Sequence, residues 1–394
     1  MKTSLGLLFC FILLSQTACK AIFDNNGDLL SSTQRSSHSL STMRNALSNS
    51  RYTAKYAVKT YRIVYETEDS NGDSVEASGL LAVPQKSSSR KSPLVVHLHD
   101  TITKNNFAPS YLYQASNNIS KAASLGYIVI APDYIGYGKS NNETHPYLHE
   151  KTLVSSTIDM MKASKQWLKN HNRPINKQVF IEGYSEGGYA AMATHKKIEK
   201  DYRDDFTITA SVPGGGPYDL SATVQTLIDR EKLEDPVSIA FIIKAYNDIY
   251  SSDLLNAAIK PAFRSIVRDD INNGSYDTSE LNDLLGYQTH SFLKDSFIQD
   301  MRDGTETRLS KNLRRNNLYD WKPKTTMRIV HGEDDKVIPY DNAVKTVDEM
   351  IANGATNIEL IACDVSPFKA RHDICSVFSY NYAIKLFNDL AYDL

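Results

Sequence analysis

Cysteine is scarce in this chain, with four residues among 394. So long a sequence, 41% apolar, can bury a core of its own and is no disulfide-stapled mini-scaffold. Positive charge is not in excess either. The 44 Lys and Arg are balanced by 46 Asp and Glu, a formal net charge of -2, so no basic surface argues for nucleic acid. No acidic tract suggests disorder, and no internal repeat is present. After Leu14 no apolar run is long enough to span a bilayer. The length suits one large α/β domain carrying an insertion.

The N-terminus has the layout of an export signal. Met1-Lys2 supplies a positive start, Leu5 to Leu14 is apolar, and Ser15-Gln16-Thr17-Ala18-Cys19 closes the segment. The small residues before Cys19 resemble a bacterial lipoprotein processing site, with Gln16 where an aliphatic residue is usual. Residues 1–19 are therefore expected to be a signal peptide, either of the lipoprotein type with Cys19 lipidated or cleaved nearby in the ordinary way. Export leads to a periplasmic, outer-membrane-anchored or secreted protein. Residues 20–54, with many Ser, Asn and Thr, read as a flexible tether. Once Cys10 leaves with the signal, Cys363 and Cys375 are close enough in sequence to bridge in an oxidising compartment, which leaves Cys19 over.

From about Lys55 strand and helix signals alternate. Tyr61–Tyr65 and Ala77–Pro84 form a hairpin pattern around Asn71-Gly72-Asp73. Leu94–His99, Tyr127–Tyr134, Gln178–Ile181, Thr207–Pro213, Met327–His331 and Ile358–Ala362 read as further strands with helical stretches between them. That order predicts an α/β fold with a mostly parallel central sheet and helices on both faces. About 113 residues separate Pro213 from Met327, far too many for a bare loop. Residues 214–325 are expected to be an inserted helical cap, and 55–213 with 326–394 the core. In the insertion, Phe241, Ile242, Ile243, Tyr246 and Ile249 could line a tunnel or pack.

The densest chemical signal is Gly183-Tyr184-Ser185-Glu186-Gly187. With a buried strand before it and small helical residues after it, this is a nucleophile elbow, a sharp turn that pushes the Ser185 side chain into the open. A serine hydroxyl needs a base, and the base needs an orienting acid. Gly332-Glu333-Asp334-Asp335-Lys336 follows a strand, and spacing from the glycine and from Pro339 favours Asp335, with Asp334 as the fallback. His372 is the one histidine after Asp335, which makes it the expected base. For the oxyanion, the backbone N–H of Glu186 is one expected donor. The second is expected from Asp100, through its N–H or a protonated carboxyl, with Thr101 as the alternative. His97, His99 and Asp100 invite a metal reading, but no further histidine follows Asp100 at short spacing, and neither a metal nor another cofactor is expected.

Together with Ala131-Pro132-Asp133-Tyr134-Ile135-Gly136-Tyr137-Gly138-Lys139-Ser140 and His145-Pro146-Tyr147-Leu148, these motifs resemble the α/β-hydrolase superfamily from about residue 55 onward, and within it secretory lipases and related exported bacterial esterases. His99-Asp100-Thr101 departs from the frequent His-Gly-Thr. The resemblance implies cofactor-free hydrolysis of a small-molecule or lipid ester, through an acyl-enzyme on Ser185, with an apolar acyl pocket under the cap. The 133–140 loop would either line that pocket or pack. A serine peptidase on the same fold is the alternative, and an acyltransferase or a catalytically dead binding protein are lesser ones.

Overall fold

The computed structural model describes residues 26–305, 307–365 and 368–394. The expected signal segment and Cys19 lie outside the described residues. The order is β1 (Leu29–His38), α1 (Leu40–Ala46), β2 (Val58–Glu68), β3 (Ser74–Pro84), β4 (Ser92–Leu98), α2 (Asn118–Leu125), β5 (Ile128–Pro132), α3 (Glu150–Asn170), β6 (Ile175–Tyr184), α4 (Glu186–Asp201) and β7 (Thr207–Gly214). Helices then run from α5 (Leu220–Asp229) through α6 (Pro236–Ile249), α7 (Leu254–Ala258), α8 (Thr278–Leu285), α9 (Thr289–Phe292), α10 (Asp295–Arg302) and α11 (Arg308–Arg315). The chain closes with β8 (Thr326–His331), α12 (Tyr340–Ala352), β9 (Ile358–Ala362) and α13 (His372–Leu390).

These nine strands form one sheet in the order β1-β2-β3-β5-β4-β6-β7-β8-β9, and two short strands, Asp364–Val365 and Phe368–Lys369, pair apart from it. β1, β2 and β3 pair antiparallel, β3 joins β5 antiparallel, and every pairing from β5 to β9 is parallel. Interior strands need apolar residues on both faces, because helices cover both. Period-2 geometry then sorts neighbours to opposite sides. Leu94, Val96, Ile128, Ile130, Val179 and Ile181 join the core under α3, α4 and α12, whereas Val95, Val129, Ala131 and Phe180 join the core under α1, α2 and α13. The mostly parallel sheet with two helical layers is the expected α/β architecture.

The tether expectation needs correction. Residues 29–38 form an edge strand paired to β2 from Leu29↔Tyr65 to His38↔Val58. α1 follows, with Ser39 Oγ accepting the Thr42 N–H at 3.1 Å and Met43 fully buried. An edge strand is held by backbone bonds along one side, so Leu-Leu-Ser-Ser-Thr-Gln-Arg-Ser-Ser-His shows no apolar alternation to betray it. The ordered body therefore begins well before residue 55.

The insertion packs inward. Phe241, Ile243 and Tyr246 are fully buried in the main core, and Phe241 stacks on Tyr147 at 4.6 Å between ring centres. The 133–140 loop also packs: the buried Asp133 carboxylate accepts the Ser110 N–H at 2.7 Å and the Ser78 hydroxyl at 2.6 Å. No helix among the described residues is long and apolar enough to cross a membrane.

Candidate active site

β6 ends at Tyr184 and α4 begins at Glu186, so a single residue, Ser185, makes the turn. Its φ of 56° and ψ of -119° lie outside the ordinary regions for a residue with a side chain. Crowding enforces the turn: a Cβ on Gly183 would run into the Gly187 carbonyl, and one on Gly187 into the Leu98 carbonyl. Hydrogen bonds from Ser185 N–H to Gly214 O at 2.9 Å and from Tyr189 N–H to Ser185 O at 3.0 Å fix both sides of it.

Ser185 Oγ stands 3.0 Å from His372 Nε2, and His372 Nδ1 stands 2.6 Å from Asp335 Oδ2. Sequence positions 185, 335 and 372 are thus drawn into one hydrogen-bonded row. His372 is the first residue of α13 and not a loop residue. Asp335 lies just beyond β8, and its Oδ1 accepts the N–H groups of Val337 and Ile338 at 2.9 and 2.8 Å. Burial alone would raise the Asp335 pKa. Hydrogen bonds and charge from His331 and His372 outweigh it and hold the carboxyl far below the usual range. Asp334, the fallback, turns outward to Lys336 Nζ at 2.8 Å.

Cys363, buried, and Cys375, on the second turn of α13, lie with Cα atoms 5.8 Å apart, within disulfide range. The pair brackets the segment that delivers His372.

Ser185 opens into a cavity of about 380 Å³. Asp100, Thr101 and His372 line it from the core, and Glu234, Asp235 and Thr278 from the insertion. Asp373 adds a fourth carboxylate. Four carboxyl side chains stand in the lining around the serine, and Phe241, Ile243 and Tyr246, insertion residues that could have lined a tunnel, pack in the core instead. A larger hollow of about 520 Å³ lies beside Lys165 and Phe206, far from this chemistry in the fold. Sequence reasoning missed Glu234 and Asp235, which precede Pro236 and read only as a helix start. Their place depends on how the insertion folds back.

Asp100 faces the cavity. Desolvation by the surrounding protein raises its carboxyl pKa, against the pull of His99, His97 and His372 and of its own backbone N–H. The Thr101 hydroxyl shares a hydrogen bond with Tyr147 Oη at 2.8 Å. His97 is bound to Glu182; burial lowers its pKa, but the charge and hydrogen bond of Glu182, together with the charge of Asp100, outweigh burial and raise it. His99 faces the Asp100 and Asp133 carbonyls at 2.7 and 3.1 Å, and burial lowers its pKa. His97 is thus held by Glu182 and His99 by backbone carbonyls, and among the described residues no group of three His, Cys, Asp or Glu could hold a metal ion. Glu186 sits behind the elbow, wholly buried, with Oε1 2.6 Å from His145 Nε2.

Comparison with known proteins now bears on this geometry. The family model for secretory lipases matches residues 111–382. No functionally curated protein matches the chain. The rice cell wall degrading esterase LipA from Xanthomonas oryzae, in a ligand-bound form, superposes with a TM-score of 0.82 at 25% identity, over 93% of this chain and 98% of that one. A protein from Legionella pneumophila gives 0.83 at 24% identity, over 92% and 98%, a likeness of fold. Candida antarctica lipase A gives 0.67 at 17%, over 94% and 84%, a likeness of fold alone. The chain is an α/β-hydrolase that cleaves carboxylic esters, and it belongs to the secretory lipase family.

Proposed function

We propose that this enzyme is an esterase for polar or short-chain esters, working through an acyl-enzyme on Ser185. The single observation that carries the reading is the Ser185–His372–Asp335 row at 3.0 and 2.6 Å, opening into a small cavity with four carboxyl side chains in its lining. His372 Nε2 takes the Ser185 proton as Oγ attacks the ester carbonyl, and Asp335 holds and balances the imidazolium that forms. The oxyanion receives the Glu186 N–H and a donor from Asp100. Collapse expels the alcohol, which takes the proton from His372. Water, activated by the same imidazole, then releases the acid and restores Ser185.

The cavity argues for an esterase and against a long-chain lipase. A fatty acyl chain is bound by apolar walls, whereas this wall presents Asp100, Glu234, Asp235 and Asp373. Resemblance to an esterase described as degrading rice cell wall makes cell-wall esters a substrate class to include. The same carboxylates favour the peptidase reading in one respect, since they could grip a free amine. For the N-terminus, the positive start, the apolar run and the small residues before Cys19 support export with a lipid anchor at that cysteine.

The experiment is hydrolysis of p-nitrophenyl esters from acetate to palmitate, and of aminoacyl anilides, by wild type beside Ser185→Ala. Activity concentrated on short chains and lost in the variant is the expected result. A maximum at palmitate would make the protein a lipase, and turnover of anilides alone a peptidase.

A further inference from the structure

The residue that follows the nucleophile carries a second piece of machinery. Glu186 is the first residue of α4, so its N–H is among the free donors at that helix end, and it is the proposed oxyanion donor. Its side chain turns away from the cavity into the core. Glu186 Oε1 meets His145 Nε2 at 2.6 Å, and both side chains are fully buried. Glu186 Oε2 has no hydrogen-bond partner. Around the imidazole stand the rings of Tyr134, Tyr137, Tyr147 and Phe241, with centroids 4.8 to 6.1 Å away.

The proton count of this pair follows from its partners. His145 Nδ1 lies 2.7 Å from the Ile135 carbonyl oxygen, which can only accept, so Nδ1 carries a hydrogen. Between Nε2 and Glu186 there must then be one proton, held either by the imidazole or by the carboxyl. The first case is a cation beside an anion, the second two neutral groups. In both the pair carries no net charge.

That neutrality matters because of where the pair sits. A lone carboxylate one residue after the nucleophile suits the positive end of α4 but opposes an anion forming at the same N–H. We propose that His145 is a positioning residue for ester hydrolysis: by keeping Glu186 in a net-neutral pair, it prevents an uncompensated negative charge from standing buried behind the oxyanion site. The proposal rests on the reading of Ser185 as the nucleophile. The fully buried setting, with one carboxylate oxygen unpartnered, means that water cannot screen Glu186 if His145 is removed.

The test is a charge cycle at the two positions. The readout is the second-order rate at which a fluorophosphonate labels Ser185, which needs no knowledge of the natural ester. Circular dichroism reports folding. His145→Gln keeps a hydrogen-bonding side chain but cannot supply the compensating proton. Its labelling rate is expected to fall about ten-fold or more, a fraction of the loss seen when an oxyanion donor is removed. Adding Glu186→Gln to His145→Gln takes away the charge and is expected to recover most of that loss. A merely structural role for His145 would leave the double variant as slow as the single one.

If the single variant fails to fold, the double variant, which lacks the charge, must still label at close to the wild-type rate, and a folded double variant that labels far more slowly overturns the proposal. Wild-type labelling rates in His145→Gln, or a double variant no better than the single one, would overturn the proposal. A wild-type protein that the probe does not label at Ser185 would overturn the nucleophile itself, and the role of His145 with it.

Discussion

His331 Nε2 lies 3.3 Å from Asp335 Oδ2, the same oxygen that holds His372 Nδ1 at 2.6 Å. The His331 nitrogen is also 3.0 Å from the Ile338 carbonyl, so it carries a hydrogen and donates toward both oxygens. Asp335 therefore has a histidine on either side, one facing the serine and one buried behind. Replacing His331 with Phe keeps ring volume and removes the donor. A hydrogen bond to a charged group is worth about 1.5–3 kcal/mol, and part of that loss will reach His372. We expect kcat on a short-chain ester to fall about ten-fold, with little change in KM, measured by steady-state kinetics.

The choice between adjacent acids is open to direct test. Asp335→Asn presents an amide to His372 Nδ1 and favours the wrong tautomer, so kcat is expected to drop by about 10³–10⁴. Asp334→Asn loses only an exposed ion pair with Lys336 and should stay within about three-fold of wild type. Equal losses in the two variants would remove Asp335 from its special place.

Asp100 gives a pH prediction. Desolvation raises its carboxyl pKa, so the neutral form persists to higher pH than in a free aspartate. As pH rises through that pKa a negative charge develops beside the oxyanion site, and activity should decline. Asp100→Asn cannot ionise. The ratio of variant to wild-type kcat/KM should therefore increase as pH rises above the 3.8 of an ordinary aspartate, the side on which the shift places the titration. A flat ratio would show that the Asp100 charge does not act on the transition state.

Acid stability should depend on Glu199 in α4. Its carboxylate accepts the Lys324 and Thr325 N–H groups and the Thr325 hydroxyl at 2.8 to 3.1 Å, and it pairs with His195 at 3.0 Å. Burial opposes the charge, but these hydrogen bonds and His195 win, lowering the pKa from 4.5 to about 2. The unfolded chain then binds the proton more readily than the folded one. Stability from Glu199 is full above pH 4.5 and is lost as pH falls toward 2, a difference on the order of 2–3 kcal/mol. Glu199→Gln should lower Tm at neutral pH and flatten the Tm curve across that acid window, as thermal denaturation would record.

How much of this was legible depended on how local the cause was. The elbow could be read because its serine, its glycines and the ends of the flanking strand and helix all fall within one short stretch of sequence. Interior strands such as Ile128–Pro132, buried at every position, announce themselves as apolar runs. β1 did not, since both of its faces are largely polar and only its backbone ladder holds it to β2.

The sequence by itself determined the alternation that sets the sheet, the strained serine, and the order of serine, acid and base. These are properties of neighbouring residues and of strand ends. Tertiary structure alone decided that Glu234 and Asp235 join Asp100 and Asp373 around Ser185, placing four carboxyl side chains in the lining of its cavity. It alone paired His145 with Glu186 and His331 with Asp335. A side chain's partner across the core is set by how helices and strands pack, and residues far apart in sequence carry no local pattern that announces the meeting.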